Sequence, residues 1–132
     1  MKVIESIRQR IKEYKINNSL PGKWKVFEYY TEPGEELINI KESQVKSENL
    51  VWNIGFDEDG TFHNSSNLEV AFVKEIEATT WSKSRNFVTL QDPEDFRKNT
   101  EFQFAFEKGN LKLLKKDDFG KIIVFAFFNR IS

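Results

Sequence analysis

The chain has 132 residues, with thirteen Phe, three Trp, three Tyr, no Cys and a single His, and its twenty basic and twenty-one acidic residues leave a formal charge of −1. The lack of cysteine excludes disulfide scaffolds, thiol nucleophiles, iron–sulfur clusters and cysteine zinc sites. The balanced charge argues against a nucleic-acid footprint or an anionic-membrane binder. A chain of this length suits one domain, residues 1–132, able to bury its own core without a metal or disulfide. The excess of aromatic residues suits pleated, half-buried surfaces.

Residues 1–18 read as a helix. Ile4, Ile7, Ile11 and Tyr14 recur at spacings of three and four, Val3 widens the stripe, and Arg8, Gln9, Lys12, Glu13 and Lys15 fall on the other face. Charges break up every apolar run here, so no signal peptide is visible and a cytoplasmic location is expected. No uncharged apolar run anywhere approaches the roughly 18 residues of a membrane-spanning helix. Asn17-Asn18 and Pro21-Gly22 end the helix.

From Trp24 the period changes to two. Trp24, Val26, Glu28 and Tyr30 share one face of a first strand, and Pro33-Gly34 turns the chain into a short strand at Leu37–Ile40. Residues 41–49 are polar and read as a loop. Trp52, Ile54 and Phe56 share a face of the next strand, and Asp57-Glu58-Asp59-Gly60 reads as a hairpin turn with Gly60 at positive φ. Thr61-Phe62-His63 begins the return strand. Leu68 to Lys74 alternates in strand fashion, Glu77–Ser84 carries Trp81 on another strand, and Phe87–Leu90 follows. Residues 91–100 read as a loop or one helical turn. Phe102, Phe104 and Phe106 line one face of a strand, Lys108-Gly109-Asn110 turns tightly, and Leu111–Lys115 and Lys121–Arg130 complete the set around a turn at Asp117–Gly120. With eight to ten strands at short intervals and no helices alternating with them, the pattern predicts a mainly β, antiparallel sandwich or barrel.

The last strand is apolar on both faces: Ile122, Val124, Ala126 and Phe128 point one way, Ile123, Phe125 and Phe127 the other. An antiparallel strand with one wet face is polar on that face, so the outer side here needs a cover. The stripe over residues 3–14 is the spare apolar surface, which predicts a helix docked outside on Ile123, Phe125 and Phe127. A homodimer interface is the competing cover, leaving monomer and homodimer both open.

The triplet Gly22-Lys23-Trp24 at the head of the first strand, together with Arg130 at the end of the last, resembles the lipocalin (calycin-type) pattern, and the compact bacterial lipocalin-like domains in particular. The resemblance implies an up-and-down β-barrel over residues 22–130, with Trp24 at the closed end and Arg130 packed across it. A guanidinium suits that place, since it stacks on an indole face and bonds nearby carbonyls. The family's middle Thr-Asp-Tyr type motif is missing near Trp81–Leu90, and so is its C-terminal helix. Fatty-acid-binding proteins are similar in size but carry a helical pair between the first two strands, for which residues 31–36 are too short.

Such a barrel implies non-covalent binding of a small hydrophobic molecule, with Trp52, Ile54, Phe56, Trp81, Phe102, Phe104 and Phe106 as its lining and Glu28 and Tyr30 as inward polar contacts. A bulge in the first strand would instead turn Glu28 to water. Two alternatives stand beside carriage. One is a small barrel enzyme of isomerase, cyclase or decarboxylase type using Glu28, Tyr30 and Arg85; the other is a ligand-free interaction module whose barrel is filled by its own aromatics. Binding is favoured over catalysis, because His63 has no triad or metal partners in the sequence and Asp57–Asp59 reads as turn chemistry rather than a calcium loop. No cofactor and no metal are expected.

Overall fold

The computed structural model describes residues 19–32 and 36–131. Within them the chain forms nine strands: β1 (Gly22–Thr31), β2 (Ile38–Ile40), β3 (Trp52–Phe56), β4 (Phe62–Ser66), β5 (Thr80–Ser84), β6 (Phe87–Gln91), β7 (Thr100–Glu107), β8 (Asn110–Lys116) and β9 (Ile122–Arg130). Two short helices, α1 (Glu42–Ser47) and α2 (Ala71–Lys74), and a 3-10 turn at Phe96–Lys98 complete the description. The helix expected over residues 1–18 lies outside the described residues.

The strand pairings are antiparallel, in the order β4-β3-β1-β9-β8-β7-β6-β5, with β2 beside the second half of β1. The two outer strands of this path then meet. Thr61 bridges Thr80, the Phe62 N–H donates to the Thr79 carbonyl at 2.8 Å, and the Trp81 N–H donates to the Gly60 carbonyl at 2.9 Å. The sheet is thus a nearly closed barrel, which removes most of its free edges. Gly60, at φ +95°, sits in the β3–β4 turn that makes this closure, a conformation a side chain would strain.

One end of the barrel is closed by the first and last strands. Trp24 lies opposite Ile54 on β3 and Arg130 on β9 and has no accessible surface. Its indole Nε1 donates to the Leu20 carbonyl at 2.9 Å. The Arg130 guanidinium lies 4.2 Å from the Trp24 ring centre, and its Nη1 and Nη2 donate to the carbonyls of Pro21 and Ser19 at 2.8 and 2.6 Å. The contact expected between these two residues is present. Gly22 enters the strand at φ +139°, so the first position of the triplet also needs its glycine.

Two stretches differ from the sequence expectation. Residues 41–49, expected as a loop, contain α1, which is anchored by the buried Val45, with the Leu50 N–H donating to the Val45 carbonyl at 2.9 Å. Six residues around one apolar anchor are too few to show a helical period. Leu68–Lys74, expected to alternate as a strand, instead lies beyond the end of β4 at Ser66 and winds into α2 from Ala71. Ala71 and Val73 make that stretch apolar on both parities, so its alternation did not discriminate. Leu68 and Val73 are buried, and Phe72 meets Phe102 edge-on at 5.7 Å. α2 therefore covers the barrel end opposite Trp24.

Replacing Trp24 with Ala removes the plug and leaves the Arg130 guanidinium stacked on nothing. Urea unfolding should show a loss of about 3–5 kcal/mol, the range for large buried aromatics. A loss below 1 kcal/mol would mean that this end is held by other contacts.

Candidate functional site

The interior follows from strand parity. Trp52, Ile54 and Phe56 point inward from β3, Phe102, Phe104 and Phe106 from β7, and Trp81 from β5, so the residues expected as lining do face one space. They meet one another and their neighbours directly. Trp24 lies 6.1 Å from Phe106, Trp52 meets Phe128 edge-on at 5.0 Å, Phe56 meets Trp81 edge-on at 5.3 Å, and Phe104 meets Phe106 at 5.8 Å. Trp24, Trp52, Phe56, Phe102 and Phe128 are 0–1% exposed. A ring bordering a void wide enough for water would keep accessible area on that side, so this part of the interior is packed. Phe104, Phe106 and Trp81 are half-buried.

The polar tips inside are bonded too. Trp52 Nε1 donates to Asn64 Oδ1 at 2.8 Å, and Trp81 Nε1 donates to the Asp57 carbonyl at 2.9 Å.

Glu28 and Tyr30 are not part of this interior. The pairing of β1 with β9 runs Trp24–Arg130 and Val26–Phe128, then resumes at Glu28–Phe127, Tyr29–Ala126 and Tyr30–Phe125. Phe27 is the extra residue of a β-bulge, and beyond it every side chain changes face. Tyr29 takes the inward place, opposite the small Ala126, and is buried. Burial, and secondarily the Glu48 carboxylate, push its phenol above the ordinary tyrosine range, so it stays neutral. Glu28 points outward and accepts from Asn39 Nδ2 at 3.0 Å. Arg85 stands exposed in the β5–β6 turn at φ +56°. Glu28, Tyr30 and Arg85 therefore do not converge.

His63 is exposed, with Nε2 2.8 Å from Asp57 Oδ2 across the β3–β4 turn. Asp59 Oδ1 accepts from the Thr61 N–H at 2.9 Å, and hydrogen bonding from the Thr61 side chain, with this N–H second, holds the Asp59 carboxyl below its ordinary range. These carboxylates serve the turn. Among the described residues no group of three or more His, Asp or Glu is placed to hold a metal ion, and no helix is long and apolar enough to cross a membrane.

No protein-family model matches this chain, and no similar curated protein or solved structure was found.

What the bulge builds lies on the outer wall. Phe27 and Tyr30 from β1 meet Phe125 and Phe127 from β9. Phe125 stacks on Phe127 at 4.7 Å, Tyr30 lies 6.1 Å from Phe125 and 6.2 Å from Phe127, and Phe27 lies 6.2 Å from Phe127. The Lys112 ammonium, ion-paired with Glu107, stands 5.9 Å over the Phe127 ring, and Leu114 pairs with Phe125 across β8. All four rings are half-buried. A concavity of about 190 Å³ opens beside Phe27, Lys112 and Phe127. Parity puts Phe27, Phe125 and Phe127 on this face; Tyr30 joined them only through the bulge.

Deleting Phe27 tests the register. Without the extra residue Val26–Phe128 and Glu28–Phe127 become consecutive pairs of a regular ladder, so Tyr29 stays inward and Glu28 and Tyr30 stay outward. The deleted protein should therefore keep a cooperative thermal transition; loss of that transition would mean that Phe27 is not a dispensable extra residue in this register.

Proposed function

We propose that this chain is an interaction module of lipocalin-like architecture, a barrel filled by its own aromatics that binds through its outer wall rather than its interior. The observation that carries this reading is the burial of Trp24, Trp52, Phe56, Phe102 and Phe128 to 0–1% exposure, with α2 laid over the end where a ligand would enter. The Trp24–Arg130 plug and the nearly closed antiparallel barrel support the calycin-type assignment. The aromatic face on β1 and β9, with its cation at Lys112, is the surface offered for binding. Exposed apolar clusters with a charged rim mark such contacts. The lack of cysteine fits a reducing compartment such as the cytoplasm.

Carriage of a small hydrophobic molecule is the second reading, favoured by the half-buried Phe104 and Phe106, which leave part of the lining accessible. A catalytic reading loses its support once Glu28, Tyr30 and Arg85 stand apart.

Titration with an environment-sensitive apolar dye separates the first two. For a filled barrel the wild-type protein should show no saturable one-to-one binding that Phe104→Asp abolishes. Stoichiometric binding lost in that variant, or a hydrophobic molecule retained in native mass spectrometry, would establish carriage instead.

A further inference from the structure

On the side of β1 away from β9 the sheet is interrupted. β1 pairs with β3 from Gly22 to Lys25 and with β2 from Tyr29 to Thr31, which leaves Val26, Phe27 and Glu28 with no strand partner on that side. α1 lies against β1 there, and a cleft of about 420 Å³ stays open between them. We propose that this cleft is a binding site for a small organic monoanion, a carboxylic acid with a compact apolar body. It lies outside the filled interior and does not depend on the contact surface read on β1 and β9, although Phe27 borders both.

Size, charge and shape argue for this class of ligand. The volume lies in the range of small-molecule sites, and an open edge of three residues, closed off by β2 and β3, is too short for an added peptide strand. Val45, Leu50 and Phe27 give the cleft apolar lining. Lys25, Lys46 and Glu42 also line it, two cations against one carboxylate, so an occupant with one negative charge brings the site to neutrality. Lys46 reaches Glu42 only at 3.9 Å and both are exposed, a weak pair that leaves the ammonium available. Lys25 and Asn129 stand opposite each other on the outer face of β1 and β9. Among the described residues neither side chain has a hydrogen bond or ion pair, so an ammonium and an amide N–H are both open to one carboxylate. The remaining wall is set in advance. Asn67 Nδ2 donates to the Asn49 carbonyl at 2.9 Å, and Asn67 Oδ1 accepts from the Val51 N–H at 2.6 Å. Asn49 holds φ +53°, a conformation that asparagine tolerates better than most residues. A wall fixed this way needs little ordering when a ligand enters.

Titrating the full-length, isotope-labelled protein with naphthoate, followed by amide chemical shifts, tests this. Saturable one-to-one shifts are expected at Phe27, Lys46, Leu50 and Asn129. The neutral isostere naphthalenemethanol should bind at least about tenfold more weakly, because it forfeits the charge-assisted contacts. Lys25→Met combined with Lys46→Met should weaken naphthoate by a similar factor, and since both lysines are exposed the variant should keep the wild-type melting temperature. The absence of saturable shifts at these four amides overturns the proposal. Equal affinity for the acid and the alcohol, or undiminished binding by the lysine variant, does the same. Shifts centred on Phe104 and Phe106 and lost in Phe104→Asp would overturn it together with the filled-barrel reading, whereas a flat titration leaves that reading standing, so the two failures are distinguishable.

Discussion

The stacking of Arg130 on Trp24 is the constraint on which the rest of the barrel depends. It does three things with one guanidinium: it covers the indole face, satisfies the carbonyls of Ser19 and Pro21, and ties the entry of the first strand to the end of the last. Burial depresses the Arg130 pKa, but a guanidinium starts so high that the charge persists, and the two carbonyls replace the water it lost. A lysine would supply charge without a plane to lie on the indole. The face of Trp24 turned to the barrel meets Phe106, so the plug is also the floor of the aromatic core.

Above that floor, the side a residue faces is decided at Phe27. One inserted residue converts an inward Glu28 into an outward one and makes Tyr29, not Tyr30, the interior tyrosine. The energetic logic is direct. An inward Glu28 would be a carboxylate among Trp and Phe rings, whereas the outward one has the Asn39 amide. The same bulge brings Tyr30 out beside Phe27 and takes Tyr29 in, so the carboxylate leaves the interior while the outer wall keeps two rings on β1.

Much of this was legible in the sequence. The alternation of Trp52-Ile54-Phe56 and Phe102-Phe104-Phe106 stated both strand and facing, because those side chains differ sharply from their neighbours. The hairpin at Asp57–Gly60 and the turn at Lys108–Asn110 were legible from turn chemistry. The Trp24–Arg130 contact was legible from the ends of the pattern. The facing of Glu28 and Tyr30 was not, since Phe27-Glu28-Tyr29-Tyr30 carries aromatic residues on both parities and a bulge leaves no mark on composition. The two short helices were hidden for a related reason: α1 has one buried residue, and α2 spans barely one turn, so neither completes a period.

The position of β9 has a consequence for how the protein is made. The strand synthesised last is not at an edge of the sheet but between β1 and β8, the pair it joins. Until Ile122–Arg130 has left the ribosome, the inner edges of β1 and β8 stay unpaired and Trp24 has no cation above it. Such open strand edges are templates for pairing with other chains. The contact between positions 24 and 130 spans nearly the whole sequence, a topology whose loop-closure entropy slows folding. The nascent sheet therefore passes through a period in which it lacks its central strand. Its exposure to aggregation is governed by the time needed to add and pair Ile122–Arg130.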